Sequence, residues 1–450
     1  MYPDSSMNLK RPSRPDGATM SEDRFTAIIV GAGPAGSTAA YLLAREGHEV
    51  LLIEKGSAPG AKNMFGGRMY THALNRIIPE FWEEAPVERP VVREIITFMD
   101  EGRSTSIDCR DTGWGAPPYH SFTLLRAEFD AWLAAKAEEA GAMLACNICV
   151  DDLLYENGKV IGIRAGEDEM FADVVIAADG VNSILAQKAG LAKMFSAHQV
   201  ATGVKQIIEL PEEIIGQRFG VEGGGGAAQL FVGDCTRGMQ GGGFLYTNRN
   251  SISLGLVVNA GELAKNQIRI PDLIEDFKAN PSVAHLVEGG TVAEYSAHLI
   301  PEAGLAMIPR IFGDGILVAG DAAGFVLNLG YVVRGMDFAI ASGEAAANAV
   351  MAAKAKGDFT KAGLAGYQSK LKESFVLRDL EAYRKSPEFT ENRRLYQSYP
   401  RFVTSLAARL FTVDGSQPVH LLGKVFDQIR KNRLSITGLA IDGWKGARWL

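Results

Sequence analysis

Phe25-Thr26-Ala27-Ile28-Ile29-Val30-Gly31-Ala32-Gly33-Pro34-Ala35-Gly36 joins a short apolar, β-branched run to three glycines spaced G-x-G-x-x-G. The run has the composition of a buried parallel strand. Ser37 to Arg45, rich in Ala and Leu, predicts a helix that stops at Gly47. A second apolar strand, Glu49 to Glu54, closes the unit. Strand, glycine loop, helix, strand and terminal acid together make a dinucleotide-binding βαβ unit. Each part has a physical task. Gly31 permits the tight turn, Gly33 admits a pyrophosphate close to the backbone, and Gly36 allows helix and strand to pack closely. The helix N-terminus offers unpaired N–H groups to phosphate. Glu54 is suited to ribose hydroxyls, and its charge repels a 2′-phosphate.

The chain has 450 residues, too many for one core, so several intertwined domains are expected. Its 50 glycines suit a protein that brings backbone close to a cofactor, and a net charge of −7 gives no reason to expect nucleic acid as a partner. Residues 1–24 are polar and proline-containing and read as a disordered extension, with Met20 a candidate start. No run of eighteen apolar residues occurs, so a cytoplasmic protein with at most peripheral membrane contact is expected. Cys146 and Cys149 form a C-x-x-C inside an apparent strand from Met143 to Val150, with no second pair or nearby histidine to complete a metal site. They read as two small core residues, and no metal is expected.

Three later segments return to the theme of the opening motif. Leu125-Arg126 starts a helix that ends at Gly141. Asp173 to Ala178 is a buried strand that delivers Asp179-Gly180. Gly315 to Ala319 is another, ending in Gly320-Asp321. Between the last two, residues 200–300 alternate polar and apolar positions like an antiparallel sheet, as in Thr202 to Glu209 and Ser251 to Val258. After about residue 355 the chain turns to charged, aromatic helices, the longest pattern running from Tyr367 to Tyr383. The expected fold class is α/β. It comprises a dinucleotide domain in two parts (25–200 and 301–355), an inserted antiparallel sheet (201–300) and a C-terminal helical region (356–450).

The order of these motifs resembles the glutathione-reductase-type FAD fold, in the subgroup of aromatic hydroxylases, geranylgeranyl reductases and quinone reductases. Gly241-Gly-Gly-Phe244-Leu-Tyr246, Glu294 to Gly304, Gly66-Gly67-Arg68 and Asn328-Leu-Gly330-Tyr-Val-Val-Arg334-Gly335-Met336-Asp337 narrow it to electron-transfer flavoprotein:quinone oxidoreductases, in detail the bacterial FixC-type proteins. The resemblance implies FAD as cofactor. Asp321 would bond a ribityl hydroxyl, Asp179-Gly180 would lie near adenosine and pyrophosphate, and Arg126 would reach towards the cofactor. Lys55, Gly67, Arg68, Gly320, Gly330, Gly335 and Met336 would complete the site, with a helix directing its positive end at the flavin pyrimidine. Phe244, Tyr246 and His298 are candidates for the quinone channel.

The flavin carries the redox chemistry, so no catalytic acid or base is assigned. The implied partners are the electron-transfer flavoprotein subunits, a quinone and a small ferredoxin-like [4Fe–4S] subunit. No cysteine follows Cys235, so the C-terminal cluster of the larger enzymes of this type cannot be held here. Alternatives are a prenyl-lipid reductase, whose aromatic-Pro-Lys strand motif is missing at Phe244-Leu-Tyr246-Thr247-Asn248, and a flavin-dependent hydroxylase. Trp114 to Tyr119 and the amphipathic stretch Phe402 to Phe411 are candidate interfacial segments.

Overall fold

Four strands end side by side in the computed structural model, which describes residues 24–61, 67–302 and 304–450. Arg24–Val30 lies parallel between Val50–Ile53 and Asp168–Ala177, and Asp168–Ala177 pairs in turn with Ile316–Val318. In that register Val30 is level with Ile53 and with Ala177, and Ala177 with Val318. The loops that follow therefore all leave from one edge: the glycine loop, Glu54, Asp179-Gly180 and Gly320-Asp321. Met143–Ala145 and the short Phe312–Gly313 complete the two flanks, and a hairpin of Asp152–Glu156 and Lys159–Ala165 continues from Asp168–Ala177. Arg24, placed in the polar extension by composition, opens the first strand and bonds Asp173. The rest of that extension lies outside the described residues.

The helices Pro34–Arg45 and Met336–Lys356 pack together over this sheet at close range. A Cβ on Gly343 would stand 2.2 Å from the Ala35 carbonyl oxygen. Tyr367, fully buried, donates its hydroxyl to the Val318 carbonyl at 2.8 Å and so ties the C-terminal region to the sheet. The pattern from Tyr367 to Tyr383 is two helices rather than one. Gly366–Glu373 stops at Ser374, whose backbone is extended and whose hydroxyl caps Phe375–Ala382 by accepting from Val376 N at 3.1 Å.

The second sheet runs Thr291–Pro301, Val200–Glu209, Ser251–Asn259, Gly241–Thr247, Gly226–Gly233, Val87–Asp100, Ser121–Leu124, Arg68–Tyr70. Strands from residues 68–124 thus join those of 201–300, with Val87–Asp100 parallel to Gly226–Gly233. One face packs Val204, Ile208, Leu254 and Leu256 against the helices Glu212–Phe219 and Ile270–Ala279. By alternation the other face turns to the dinucleotide half.

The C-terminal helix Ile436–Trp449 is held by Asp442, which accepts from Arg394 at 2.7 and 2.8 Å, from Asn392 at 2.8 Å and from the Tyr399 hydroxyl. Burial pushes that carboxyl up, but these donors outweigh it and hold it at about 2. A further sequence expectation is corrected here. The strand from Met143 ends at Ala145, because Asn147 has φ +59, and Cys146 and Cys149 lie in a loop, half-buried and exposed, not in the core. That loop braces Glu54 instead: Ile148 N–H donates to the Glu54 carbonyl at 3.1 Å and Asn147 N–H to that of Gly56 at 2.8 Å.

A candidate cofactor cleft between the two sheets

Gly31 has φ +106, and a Cβ there would stand 2.2 Å from the Ala178 carbonyl oxygen; one on Gly36 would stand 1.9 Å from that of Gly31. Only glycine fits either place. Gly33 is the extended N-cap of Pro34–Arg45 and lends no side chain, while Ser37 N–H makes the first helical bond to Gly33 at 2.9 Å. The N–H groups of Ala35 and Gly36 thus belong to the set a helix start leaves for a ligand. Glu54 closes on the loop: Oε2 accepts from Ala32 N at 3.1 Å and Oε1 from Gly56 N at 2.7 Å. Lys55 follows, exposed.

Arg126 is buried and bidentate to Asp130, at 2.8 and 2.6 Å, and its Nη2 lies 3.9 Å from the Cβ position of Gly33. It therefore sits beside the glycine turn. Asp179 Oδ2 caps the helix Ile184–Lys188 by accepting from Leu185 N at 3.0 Å, whereas its Oδ1 is buried without a partner. Gly180, φ +76, faces open space. Ser183 ties this loop to the next through the Ala322 carbonyl at 2.8 Å. Gly320 N–H donates to Ser342 at 2.9 Å. Burial pushes the Asp321 carboxyl up while Arg126 opposes it and Asp130 adds to it.

Gly330, φ +81, also faces open space, and Gly335 precedes the helix that Met336 begins. Sequence reading missed what surrounds that helix start. Asp337 Oδ2 accepts from Arg334 at 2.8 Å and contacts His72 Nε2 at 3.2 Å, Arg334 also bonds Asp379 at 2.7 Å, and Asp337 Oδ1 is buried without a partner. Arg334 and Asp337 lie within the quoted motif, but His72 and Asp379 come from elements far away in sequence and carry no local signal.

On the sheet face across the cleft, a Cβ on Gly67 would stand 2.8 Å from the Tyr246 ring. Tyr246 stacks on Phe244, centroids 5.2 Å apart and planes at 27°. Arg68 is committed to protein partners, Glu94 at 3.0 Å and Ser121 at 3.0 Å. His298, half-buried on the edge strand, has its imidazolium disfavoured by burial and by Arg126 and Lys55. It stands near the cations of the dinucleotide turn, on the far side of the sheet order from Arg68. Gly66 lies outside the described residues.

Two partnerless buried carboxylate oxygens, glycines facing open space and a bare helix start fit a ligand that carries both phosphate and hydroxyl groups, as FAD does. The comparisons agree. Residues 27–208 match the FAD-dependent oxidoreductase family, and residues 386–450 match the C-terminal domain of the ETF-QO/FixC family. Protein FixC of Escherichia coli K12 is 50% identical over 95% of this chain and 99% of its own length. A probable electron transfer flavoprotein-quinone oxidoreductase, YdiS, of the same strain is 47% identical over 95% of this chain and 99% of its own. Among solved structures, a geranylgeranyl bacteriochlorophyll reductase-like protein from Thermoplasma acidophilum has a TM-score of 0.70 at 21% identity, covering 91% of this chain and 96% of that one. A halogenase, PltM, in complex with phloroglucinol and FAD has a TM-score of 0.62 at 15% identity, covering 93% and 86%. These two share the fold.

Proposed function

The chain belongs to the FixC/electron-transfer flavoprotein-quinone oxidoreductase family of FAD-dependent oxidoreductases, and from that premise we propose that it accepts electrons from an electron-transfer flavoprotein and delivers them to a membrane quinone. The observation that carries this reading is the similarity to FixC and to YdiS over 95% of the chain, which includes the sheet and the C-terminal helices as well as the cofactor motifs. Bound FAD supplies the one- and two-electron redox chemistry. The glycine turn, Glu54, Arg126, Asp179 and Asp321 hold and orient it. The helix start at Met336 favours negative charge in front of it, with Arg334 held beside that start by Asp337 and Asp379. Phe244 and Tyr246 give the cleft an apolar aromatic wall suited to a quinone ring.

A ferredoxin-like [4Fe–4S] subunit belongs to the same reading. Only Cys146 and Cys149 are close in sequence, and among the described residues no group of three or more metal-ligating side chains is assembled. A cluster for this route is then carried by a partner. The test is stopped-flow reduction of the purified flavoprotein. Reduced electron-transfer flavoprotein should reduce the flavin at a turnover rate, on the order of 1–1000 s⁻¹, and a short-chain quinone should reoxidise it. The only complete dinucleotide βαβ unit in the sequence is the one that FAD uses. Reduction by NADH alone at that rate would sink the partner-fed reading.

Delivery to a membrane quinone requires contact with the bilayer. No helix among the described residues is long and apolar enough to cross a membrane. The helix pair Ser398–Phe411 and Leu421–Lys431 presents Phe411, 87% exposed, with Leu410, Val413, Leu421, Leu422 and Phe426 also exposed. The second of these helices also carries Lys424, Arg430 and Lys431, the last two paired with Asp427. Exposed apolar side chains beside basic ones suit an anionic bilayer. Phe402, by contrast, is half-buried, and Trp114 is stacked on His120 at 5.3 Å. Phe411→Ser combined with Leu422→Ser should lower binding to anionic liposomes by roughly tenfold or more in flotation, with the flavin retained.

A further inference from the structure

Lys205 is only 1% exposed, in the middle of the strand Val200–Glu209, and among the described residues its ammonium makes no hydrogen bond or ion pair. Register fixes where it points. Lys205 is paired with Gly255 on one side and Ser296 on the other, while its neighbour Val204 lies in the apolar cluster on the opposite face. Lys205, Ser296 and, opposite Gly203, His298 therefore share the face turned to the dinucleotide half. On the edge strand Ser296 and His298 are half-buried while Ala297 and Leu299 between and beyond them are exposed, as that orientation requires. The Ser296 hydroxyl is buried without a partner, and no hydrogen bond is made by the His298 ring among the described residues. Arg126, itself paired with Asp130, acts on both Lys205 and His298, and Lys55 acts on His298 as well, while the exposed Glu294, opposite Ile207 on the edge strand, acts on Lys205 in the opposite sense.

A buried ammonium with no hydrogen bond among the described residues, beside a hydroxyl without a partner and an imidazole, and with only the exposed Glu294 carboxylate acting on it from the edge strand, is a place for an anionic oxygen. We propose that Lys205, with Ser296 and His298, is a contact for an anionic oxygen of FAD contributed by the sheet, so that the cofactor is gripped from both halves of the molecule. The anionic oxygen belongs either to the pyrophosphate or to the flavin ring when it carries negative charge after reduction. Burial, with Arg126 next, brings the ammonium down to about 8, so it remains mostly charged at neutral pH. The proposal rests on FAD as cofactor and not on the quinone reading, and its test uses neither quinone nor partner protein.

FAD and riboflavin are titrated separately into flavin-free wild type, Lys205→Met, Lys205→Arg and Ser296→Ala. Binding is followed by flavin fluorescence, the midpoint potential of each FAD complex is measured, and the flavin-free forms are melted. Lys205→Met should bind FAD about 10- to 100-fold more weakly, the range for a charged hydrogen bond. Lys205→Arg should retain most of the affinity, and Ser296→Ala should lose less than Lys205→Met. Weaker FAD binding with unchanged riboflavin binding assigns the contact to the pyrophosphate. Weakening of both, with a more negative midpoint potential, assigns it to the ring. Folded Lys205→Met with wild-type FAD affinity and potential overturns the proposal. So does a flavin-free Lys205→Met that melts below flavin-free wild type, since a side chain that only supports the sheet would behave that way.

Discussion

Gly31→Ala should yield a protein that purifies almost colourless. The added Cβ would meet the Ala178 carbonyl oxygen at 2.2 Å and its carbon at 2.8 Å, on a backbone at φ +106. Both obstacles are backbone atoms of the neighbouring strand end, so no side chain can turn aside. Positive φ alone costs a non-glycine residue about 1–3 kcal/mol. The clash forces the turn itself away from Ala178, and the turn carries Ala32, whose N–H holds Glu54, and Gly33, which begins the helix. Gly141→Ala is the control. Gly141 has nearly the same φ, +108, but nothing within 4 Å of its Cβ position. It should cost stability without loss of flavin. Visible absorbance of the two variants, with circular dichroism to establish folding, separates strain from clash. Full flavin occupancy in Gly31→Ala would show that the turn is not the phosphate seat.

The flavin-free protein should become more stable as pH rises through 8, by about 3 kcal/mol relative to Lys205→Met. Lys205 loses its proton near pH 8 in the folded chain, against 10.5 for the ordinary side chain. Between those values the unfolded chain binds the extra proton, so unfolding takes up a proton and is disfavoured as the solution becomes more alkaline. Below pH 8 both states are protonated and the folded chain bears the full cost of a buried ammonium; that cost, the drop from 10.5 to about 8, is worth about 3 kcal/mol. Cysteines and tyrosines also titrate in this range, and subtraction of the Lys205→Met curve removes them. With FAD bound the extra slope should shrink, because the ammonium then has a counter-charge. Parallel curves for wild type and Lys205→Met in flavin-free form would mean that the ammonium is not isolated.

Much of the dinucleotide half was legible because its signals are local. Three glycines follow an apolar run within one turn, and each later loop is again an apolar run that ends in Asp-Gly or Gly-Asp. The fold class follows from those runs, while FAD and the family came from the resemblance carried by segments such as Gly241 to Tyr246 and Asn328 to Asp337; all three agree with the matched relatives. The break at Ser374 was hidden because the apolar spacing continues across it; only the extended backbone and the cap at Val376 reveal two helices. The C-x-x-C read as strand because small residues alternate there, whereas Asn147 at φ +59 turns the loop towards Glu54.

Lys205 is the clearest case of the second kind. In Thr202 to Glu209 it reads as one polar position in an alternating strand, which is ordinarily the solvent side. The sequence by itself determined the two halves, the order of the cofactor loops and the small residues that let backbone approach phosphate, since these depend on neighbours along the chain. Tertiary structure decided that strands 68–124 join the inserted sheet, that the polar face of that sheet is covered by the dinucleotide half, and that His72 and Asp379 meet Arg334 and Asp337. Those outcomes depend on which surface covers which, and a pattern of period two tells one face from the other without telling what lies against it.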